Sequence, residues 1–124
     1  MEIIISSHKD LDLWNLSIKL VIETYKETGK FPEFERFSLS NQMRRSCVSV
    51  ACNIAVGDGR ETRKEFIRYL YKSHFSCSEL ETQFVLAKEL GYINEISSIE
   101  TLIKSVKLMI NGLINKLSST NVNA

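Results

Sequence analysis

The stretch from Thr62 to Gly91, TRKEFIRYLYKSHFSCSELETQFVLAKELG, decides the fold class because it specifies one long amphipathic helix. Apolar and small residues recur in it at a strict four–three spacing, a heptad-like pattern typical of helices that pack along their length. Thr62 stands three residues before Glu65, as in a capping box, and glycine at position 91 commonly ends a helix. We predict a helix over residues 63–90 with this packing seam: Phe66, Leu70, Ser73, Cys77, Leu80, Phe84 and Ala87.

A first helix is predicted over residues 8–28, upstream of this stretch. Its apolar residues alternate at spacings of three and four, which again gives a heptad-like seam. The seam consists of Leu11, Trp14, Ile18, Val21 and Tyr25. Gly29 ends the helix, and Pro32 confirms a break in the chain there.

A second helix is predicted over residues 39–56. Ser38 or Ser40 can cap its start. One apolar stripe holds Leu39, Met43, Cys47, Val50 and Ile54. Small side chains beside that stripe, at Ala51 and Ala55, allow a neighbouring helix to approach closely. Gly57 and Gly59 are predicted to stop the helix.

A fourth helix is predicted over residues 95–117, with Asn94 as its cap. Its seam is Ile96, Ile99, Ile103, Val106, Ile110, Leu113 and Leu117. Because only a few residues connect these long helices, successive helices should lie antiparallel. The sequence thus predicts an all-α fold, an antiparallel up-down-up-down four-helix bundle with shallow left-handed crossings. It forms one domain over residues 1–124. Residues 1–7 and 118–124 are expected to be flexible, and EIII near the N-terminus could form a short extended arm.

Composition restricts the function classes. The chain has 124 residues and a formal net charge of +1, so no global charge attracts nucleic acid. Its three cysteines are an odd number without C-x-x-C spacing, which disfavours a disulfide framework and a zinc site and favours a reducing compartment. The N-terminus lacks the features of a signal peptide, and no apolar run is long enough for a membrane span. A cytoplasmic protein without membrane association is expected.

Motifs for metal binding, phosphate binding and catalysis are weak. Cys47 and Cys52 are five residues apart and point about 140° apart on one helix, so they cannot share an ion. His74 and Cys77 could share a face, but two histidines, His8 and His74, are too few for the usual bundle metal sites. Gly57-Asp-Gly59 has neither a preceding strand nor a Gly-Lys-Ser/Thr. We predict no metal, no cofactor and no enzymatic activity.

Basic residues are concentrated in the middle of the chain. Residues 44–74 contain seven Lys or Arg against three acids, a local charge of +4, whereas the flanking segments are negative. The seven are Arg44, Arg45, Arg60, Arg63, Lys64, Arg68 and Lys72. They could form a stripe that binds a nucleic-acid backbone, with contacts at Arg63, Lys64, Arg68 and Lys72 above all, or they could be a solvated face that keeps the protein soluble.

Two polar residues and a set of aromatic residues are also prominent. Asn53 is expected to be a partly buried amide that fixes helix register, and Glu79 to reach a basic or amide group on a neighbouring helix. Aromatic and apolar residues off the main seams suggest a second apolar face for subunit contacts. That face would include Tyr71, Phe75, Leu102, Met109 and Ile114.

Three segments together carry a family resemblance. They are DLDLWNLSIKLVIETYKETGKFP, ERFSLSNQMRRSCVSVACNIAVGDGR and KEFIRYLYKSHFSCSELETQFVLAKELGYI. Their motifs are Asp10-Leu-x-x-Trp14, Phe31-Pro32, Gln42-x-Arg-Arg, Ser49-x-x-x-Asn53-Ile-Ala, Gly57 and Ser76-x-x-Glu79. The chain resembles, from Asp10 to about Leu117, the four-helix-bundle proteins encoded in 23S rRNA intervening sequences.

The resemblance implies a bundle that assembles as a ring, typically a homopentamer, without enzymatic activity. It also implies kinship to the accessory bundle protein of diversity-generating retroelements, a basic pentamer that binds nucleic acid and a reverse transcriptase. The family usually has an acid where Val56 stands here and a small residue where Phe75 stands. Loss of the acid removes a polar contact near Gly57, and Phe75 should change local packing or a subunit contact.

Two functions are therefore expected. The first is a homo-oligomeric bundle, pentameric as the resemblance implies, whose basic surface binds RNA or DNA. The alternative is a scaffold that presents the assembled surface to a protein partner and binds no nucleic acid.

Overall fold

A computed structural model describes residues 8–121, and the side chains of residues 12–119. Within that range the chain forms four α-helices: α1 His8–Thr28, α2 Leu39–Asp58, α3 Arg63–Glu89 and α4 Ser97–Asn121. A short 3₁₀ helix, Glu33–Glu35, lies between α1 and α2. Each helix packs on the next along the chain, and α4 packs on α1. The predicted all-α four-helix bundle is confirmed.

Three of the predicted seams lie in the core. The α2 stripe is buried at Met43, Cys47, Val50 and Ile54 and half-buried at Leu39. Every predicted seam residue of α3 is buried, from Phe66 to Ala87, and Phe84 is the largest fully buried side chain. In α4 the seam is buried from Ile96 to Leu113 and half-buried at Leu117. Because heptad-spaced residues lie on one side of a helix, these patterns were sufficient to identify the buried faces.

The predicted seam of α1 is wrong, because the buried face is a different one. The residues that face the core are Leu13, Ser17, Leu20, Thr24 and Thr28. Thr24 and Thr28 donate their hydroxyl hydrogens to carbonyls four residues earlier, each at 2.8 Å, and Ser17 donates to the Trp14 carbonyl at 2.6 Å. These bonds satisfy the hydroxyl groups, so the polar side chains can be buried. Tyr25, a predicted seam residue, is 43% exposed.

Helix α2 extends two residues beyond its predicted end. Asp58 is its last residue, and Gly59 follows it as the C-cap. Gly57 lies inside the helix and is buried, so the prediction that it stops α2 is wrong. A Cβ atom at Gly57 would lie 2.8 Å from Tyr69 Cβ and 2.9 Å from Phe66 Cδ1. Gly57 therefore permits the close approach of α2 and α3.

The predicted caps at the starts of α2 and α4 do not form side-chain capping bonds. Ser38 is the N-cap of α2 but makes no side-chain capping bond, and the Leu39 N–H instead donates to Glu35 Oε1 at 3.3 Å. Asn94 does not cap α4, which begins at Ser97. Its first N–H donates to Glu95 Oε1 at 2.7 Å. This bond lowers the pKa of the Glu95 carboxyl group.

Both ends of α3 match their predictions. The Glu65 N–H donates to Thr62 Oγ1 at 3.1 Å, which is half of a capping box. At the other end Gly91 has a φ of +82°, and the N–H groups of Tyr92 and Gly91 donate to the carbonyls of Ala87 and Lys88. This Schellman motif ends the helix after Glu89.

The termini differ from the expectation in one respect. Helix α4 continues to Asn121, four residues beyond its predicted end, so 118–121 are helical. Residues 122–124, and residues 1–7 with the EIII segment, lie outside the described residues. No helix in the described range is long and apolar enough to span a membrane.

The predicted second apolar face is exposed only on α3. Tyr71 and Phe75 are exposed by 59% and 65%. Leu102 and Met109, by contrast, are half-buried against the core, and Ile114 is buried. The α4 part of the prediction is wrong because these residues flank the seam and widen the buried face of the helix. Phe75 changes no internal packing, since most of its ring lies outside the bundle.

Candidate nucleic-acid interface

Three of the seven predicted basic residues converge on one aromatic ring, that of Tyr69. Arg60 lies with its guanidinium carbon 5.0 Å from the ring centroid and donates a hydrogen bond to the Tyr69 hydroxyl at 3.2 Å. The Arg68 guanidinium carbon lies 5.3 Å from the centroid and Lys72 Nζ lies 4.5 Å from it. We call these four residues the Tyr69 cluster.

Local structure explains how the cluster forms. Arg68 and Lys72 are four residues apart on α3, so they lie on one face of the helix. Arg60 reaches the same ring from the α2–α3 turn. Because Gly57 has no side chain, Tyr69 can lie directly against α2. The capped start of α3 fixes the position of the turn relative to the ring.

The electrostatics of this corner are positive. Over residues 58–72, five basic residues stand against the three carboxylates of Asp58, Glu61 and Glu65, so the net formal charge is +2. Glu65 Oε2 pairs with Arg68 at 3.0 Å, so its charge is already partly compensated. Arg63 and Lys64 are exposed in the first turn of α3, where the helix dipole adds partial positive charge. Such a corner attracts phosphate groups.

Arg44 and Arg45 do not join the cluster. Arg44 is half-buried against α1, where its Nε donates to Thr28 Oγ1 at 2.9 Å and its guanidinium carbon lies 4.7 Å from the centroid of Tyr25. Arg44 therefore connects α2 to α1. Arg45 is exposed near the start of α2, fifteen residues before Arg60, which corresponds to about 22 Å along a helix. The basic residues thus form a corner and a separate pair, not one continuous stripe.

A groove between α2 and α3 continues from the cluster, with a cavity volume of about 530 Å³. Its lining consists of Ser49, Asn53, Arg68, Tyr71, Lys72, Phe75 and Ser76. Lys72 belongs both to the groove and to the Tyr69 cluster. The two features are therefore parts of one surface.

Hydrogen bonds across the groove differ from those predicted. Asn53 Nδ2 donates to the Ser49 carbonyl at 2.8 Å and to Ser49 Oγ at 2.9 Å, so its bonds stay within α2. Ser76 Oγ donates across to Ser49 Oγ at 2.9 Å, and Ser73 Oγ donates to the Val50 carbonyl at 2.8 Å. The two serines of α3 therefore make the bonds between helices that were predicted for Asn53. Ser73 stood in the predicted seam, but its donor role had no sequence signal.

Glu79 does not have the predicted role. It is exposed, and within the described part of the chain it makes no hydrogen bond or ion pair with a neighbouring helix. Lys107 on α4 pairs instead with Glu81, at 3.6 Å. Glu79 and Glu81 are two residues apart on α3, so their side chains point about 200° apart around the helix axis. The sequence pattern did not show which of the two faces α4.

The cysteines and His74 are unsuited to nucleophilic chemistry. Burial raises the pKa of the Cys47 thiol to about 11 and that of Cys77 to about 12, so both remain protonated at neutral pH. Burial also lowers the pKa of His74, with a smaller contribution from the charge of Lys107. Cys52 is exposed, on a different face from Cys47, as the spacing predicted. Among the described residues, no group of three or more His, Cys, Asp and Glu side chains is placed to hold a metal.

A second groove, between α1 and α4, has the opposite charge. It has a volume of about 450 Å³, and its rim carries Glu23, Glu27 and Glu95 with Lys19. Glu23 pairs with Lys26 and Glu27 with Lys30, each at 3.5 Å. These pairs partly compensate the charge of the rim. The α1–α4 groove therefore lacks the excess of basic residues found at the α2–α3 corner.

A family model and a solved structure both match this chain over most of its length. The model of the family described as 23S rRNA-intervening sequence protein matches residues 9–112. A crystal structure from Bacteroides thetaiotaomicron, described as a protein with unknown function from the S23 ribosomal protein family, is similar with a TM-score of 0.80. It shares 21% sequence identity, and the match covers 86% of this chain and 98% of that one. No curated protein matches the chain. At this identity the likeness establishes the fold alone.

Proposed function

Because the chain belongs to the 23S rRNA-intervening sequence protein family, we propose that it is a non-enzymatic, homo-oligomeric bundle that binds the backbone of RNA or DNA. The observation that carries this proposal is the Tyr69 cluster, where three cations lie around one ring and the nearest carboxylate pairs with one of them. Mutual repulsion of these cations is relieved when a phosphate approaches. The three free cysteines are consistent with a reducing, cytoplasmic environment.

Nucleic-acid binding is expected to depend strongly on salt. Each phosphate that a Lys or Arg neutralises releases condensed counterions, so affinity should fall linearly in a plot of log K against log salt. A fluorescence-anisotropy titration of rRNA fragments at several salt concentrations, starting at about 50 mM, measures this slope. With about three to five contacts, the slope should lie between about −2 and −4. Absence of affinity at the lowest salt, or affinity that does not respond to salt, would contradict the proposal.

The homo-oligomer is proposed to form through the outer face of α1. There Tyr25, a residue of the predicted α1 seam, is 43% exposed, and Ile22, outside that seam, is 49% exposed. Arg44 lies over Tyr25, and Val48, one turn further along α2, is 37% exposed. We propose that Ile22, Tyr25 and Val48, exposed on the neighbouring helices α1 and α2, together form this interface. Apolar stripes with heptad-like spacing commonly pack against another helix.

Light scattering tests this assembly. The expected mass is five times the 14.2 kDa of one chain, and Ile22→Glu should reduce it because the new charge would have to be buried in the interface. Leu108→Glu is the matched control, since Leu108 is 71% exposed on α4 and away from this surface. A wild-type mass of one chain, or the same mass in both variants, would rule out the proposed interface.

A protein-partner scaffold is the second candidate function. Phe34 and Phe37 in the α1–α2 connection are 77% and 86% exposed, and Leu90 at the end of α3 is 56% exposed. The connection is held in place by a 2.7 Å hydrogen bond from the Tyr92 hydroxyl to Glu35 Oε2. Exposed aromatic residues of this kind are enriched at protein interfaces. This function is favoured if the salt titration shows no affinity for nucleic acid.

A further inference from the structure

Two exposed aromatic rings in the α2–α3 groove have no role in holding the bundle together. Tyr71 and Phe75 are 59% and 65% exposed, although aromatic side chains usually contribute to a core. They are four residues apart on α3, so they lie on one face, about 6 Å apart along the helix axis. Arg68 and Lys72 lie on the same face of α3 and line the same groove. Cations and aromatic rings therefore alternate along it.

The groove also contains polar groups suited to the edges of bases. Asn53 and the hydroxyls of Ser49 and Ser76 line it between the two helices. The hydrogen bond between Ser76 and Ser49 and those from Asn53 to Ser49 hold this set in one arrangement. Amide and hydroxyl groups both donate and accept, which allows them to bind the edge of an unpaired base.

We propose, resting on the proposed nucleic-acid binding, that the groove takes an unpaired segment of a nucleic-acid strand. Its bases stack on Tyr71 and Phe75, and its phosphates contact Arg68 and Lys72. The strand continues past Lys72 to Arg60 at the Tyr69 cluster.

A duplex does not fit this arrangement. Within a duplex the faces of the bases are covered by their neighbours, which are stacked about 3.4 Å apart. Tyr71 and Phe75 are attached about 6 Å apart along the axis of α3, almost twice the spacing of stacked bases, so two bases that stack on them must have separated from one another. Stacking on exposed aromatic side chains, combined with a cationic groove for the backbone, is how proteins bind single strands without reading their sequence.

Fluorescence anisotropy on the full chain tests the proposal. The probes are a uridine strand of about twelve nucleotides and the duplex of that strand with its adenosine complement, both at about 50 mM salt. The wild-type protein should bind the single strand at least about tenfold more tightly than the duplex. Tyr71→Leu and Phe75→Leu keep apolar bulk but remove the aromatic face. Each should weaken single-strand binding by about five- to a hundredfold and leave duplex binding and its salt slope unchanged.

Phe37→Leu is the matched control, because Phe37 is 86% exposed but lies in the α1–α2 connection. It should bind both probes like the wild type. Equal affinity for strand and duplex, or normal strand binding by both groove variants, would overturn the inference and leave the proposed function standing. A change of oligomer mass in Phe75→Leu without a change in strand affinity would also overturn it, since the ring would then be a subunit contact. Failure of both probes to bind would overturn the proposed function as well.

Discussion

Replacing Gly57 with valine should lower the free energy of unfolding by about 1–3 kcal/mol, although valine is a better helix former than glycine. The Cβ atom alone would lie 2.8 Å from Tyr69 Cβ and 2.9 Å from Phe66 Cδ1, closer than non-bonded carbon atoms come. It would also lie 3.3 Å from the Phe66 carbonyl oxygen, so rotation of a side chain does not relieve the clash. Helices α2 and α3 would have to separate, and the core around Phe66 would lose contacts.

Gly112→Val is the matched control for this effect. Gly112 lies inside α4, and nothing is within 4 Å of the position that its Cβ would take. The same substitution there should leave stability unchanged or raise it by less than about 1 kcal/mol, because valine has the higher helix propensity. Denaturant unfolding followed by circular dichroism measures both variants. If Gly57→Val were as stable as Gly112→Val, the close packing of α2 on α3 at this point would be wrong.

The sequence predicted the bundle well wherever the buried face is predominantly apolar. The α3 and α4 seams fit this case, since every seam residue from Phe66 to Ala87 and from Ile96 to Leu113 is buried and Ser73 is the one polar residue among them. It failed on α1, where the buried face contains Ser17, Thr24 and Thr28. Their hydroxyls bond to nearby carbonyls of the same helix, so they can be buried at little cost. A pattern based on hydrophobicity cannot identify such a face.

The sequence predicted which segment is rich in basic residues, but not how their side chains are arranged in space. The excess of Lys and Arg over residues 44–74 correctly located the basic corner at the start of α3. The orientation of Arg44 toward Thr28 could not be predicted, because it depends on which face of α1 packs against α2. The role of Tyr69 was not predicted, because it depends on Gly57, whose close contact with α3 has no signal in the local sequence.

The largest effect on binding is expected from the combined variant Arg60→Gln, Arg68→Gln and Lys72→Gln. Removing three phosphate contacts should weaken nucleic-acid binding about a hundredfold at about 50 mM salt and make the salt slope shallower by about 2. Stability should change little. All three side chains are largely solvated, and the surface pair between Arg68 and Glu65 contributes little to folding.

A control variant with the same change in net charge distinguishes direct phosphate contacts at the Tyr69 cluster from the effect of the net charge of the whole protein. The combined variant Lys26→Gln, Lys30→Gln and Lys104→Gln also lowers the formal net charge from +1 to −2, but its residues are exposed on α1, the α1–α2 connection and α4. If the cluster contacts phosphates directly, the control should lose less than about fivefold, since exposed charges beyond the Debye length, about 14 Å at about 50 mM salt, are largely screened. Equal losses in the two variants would mean that net charge alone governs binding. The Tyr69 cluster would then be a solvated face, with its cations stabilised by the ring and not by a ligand.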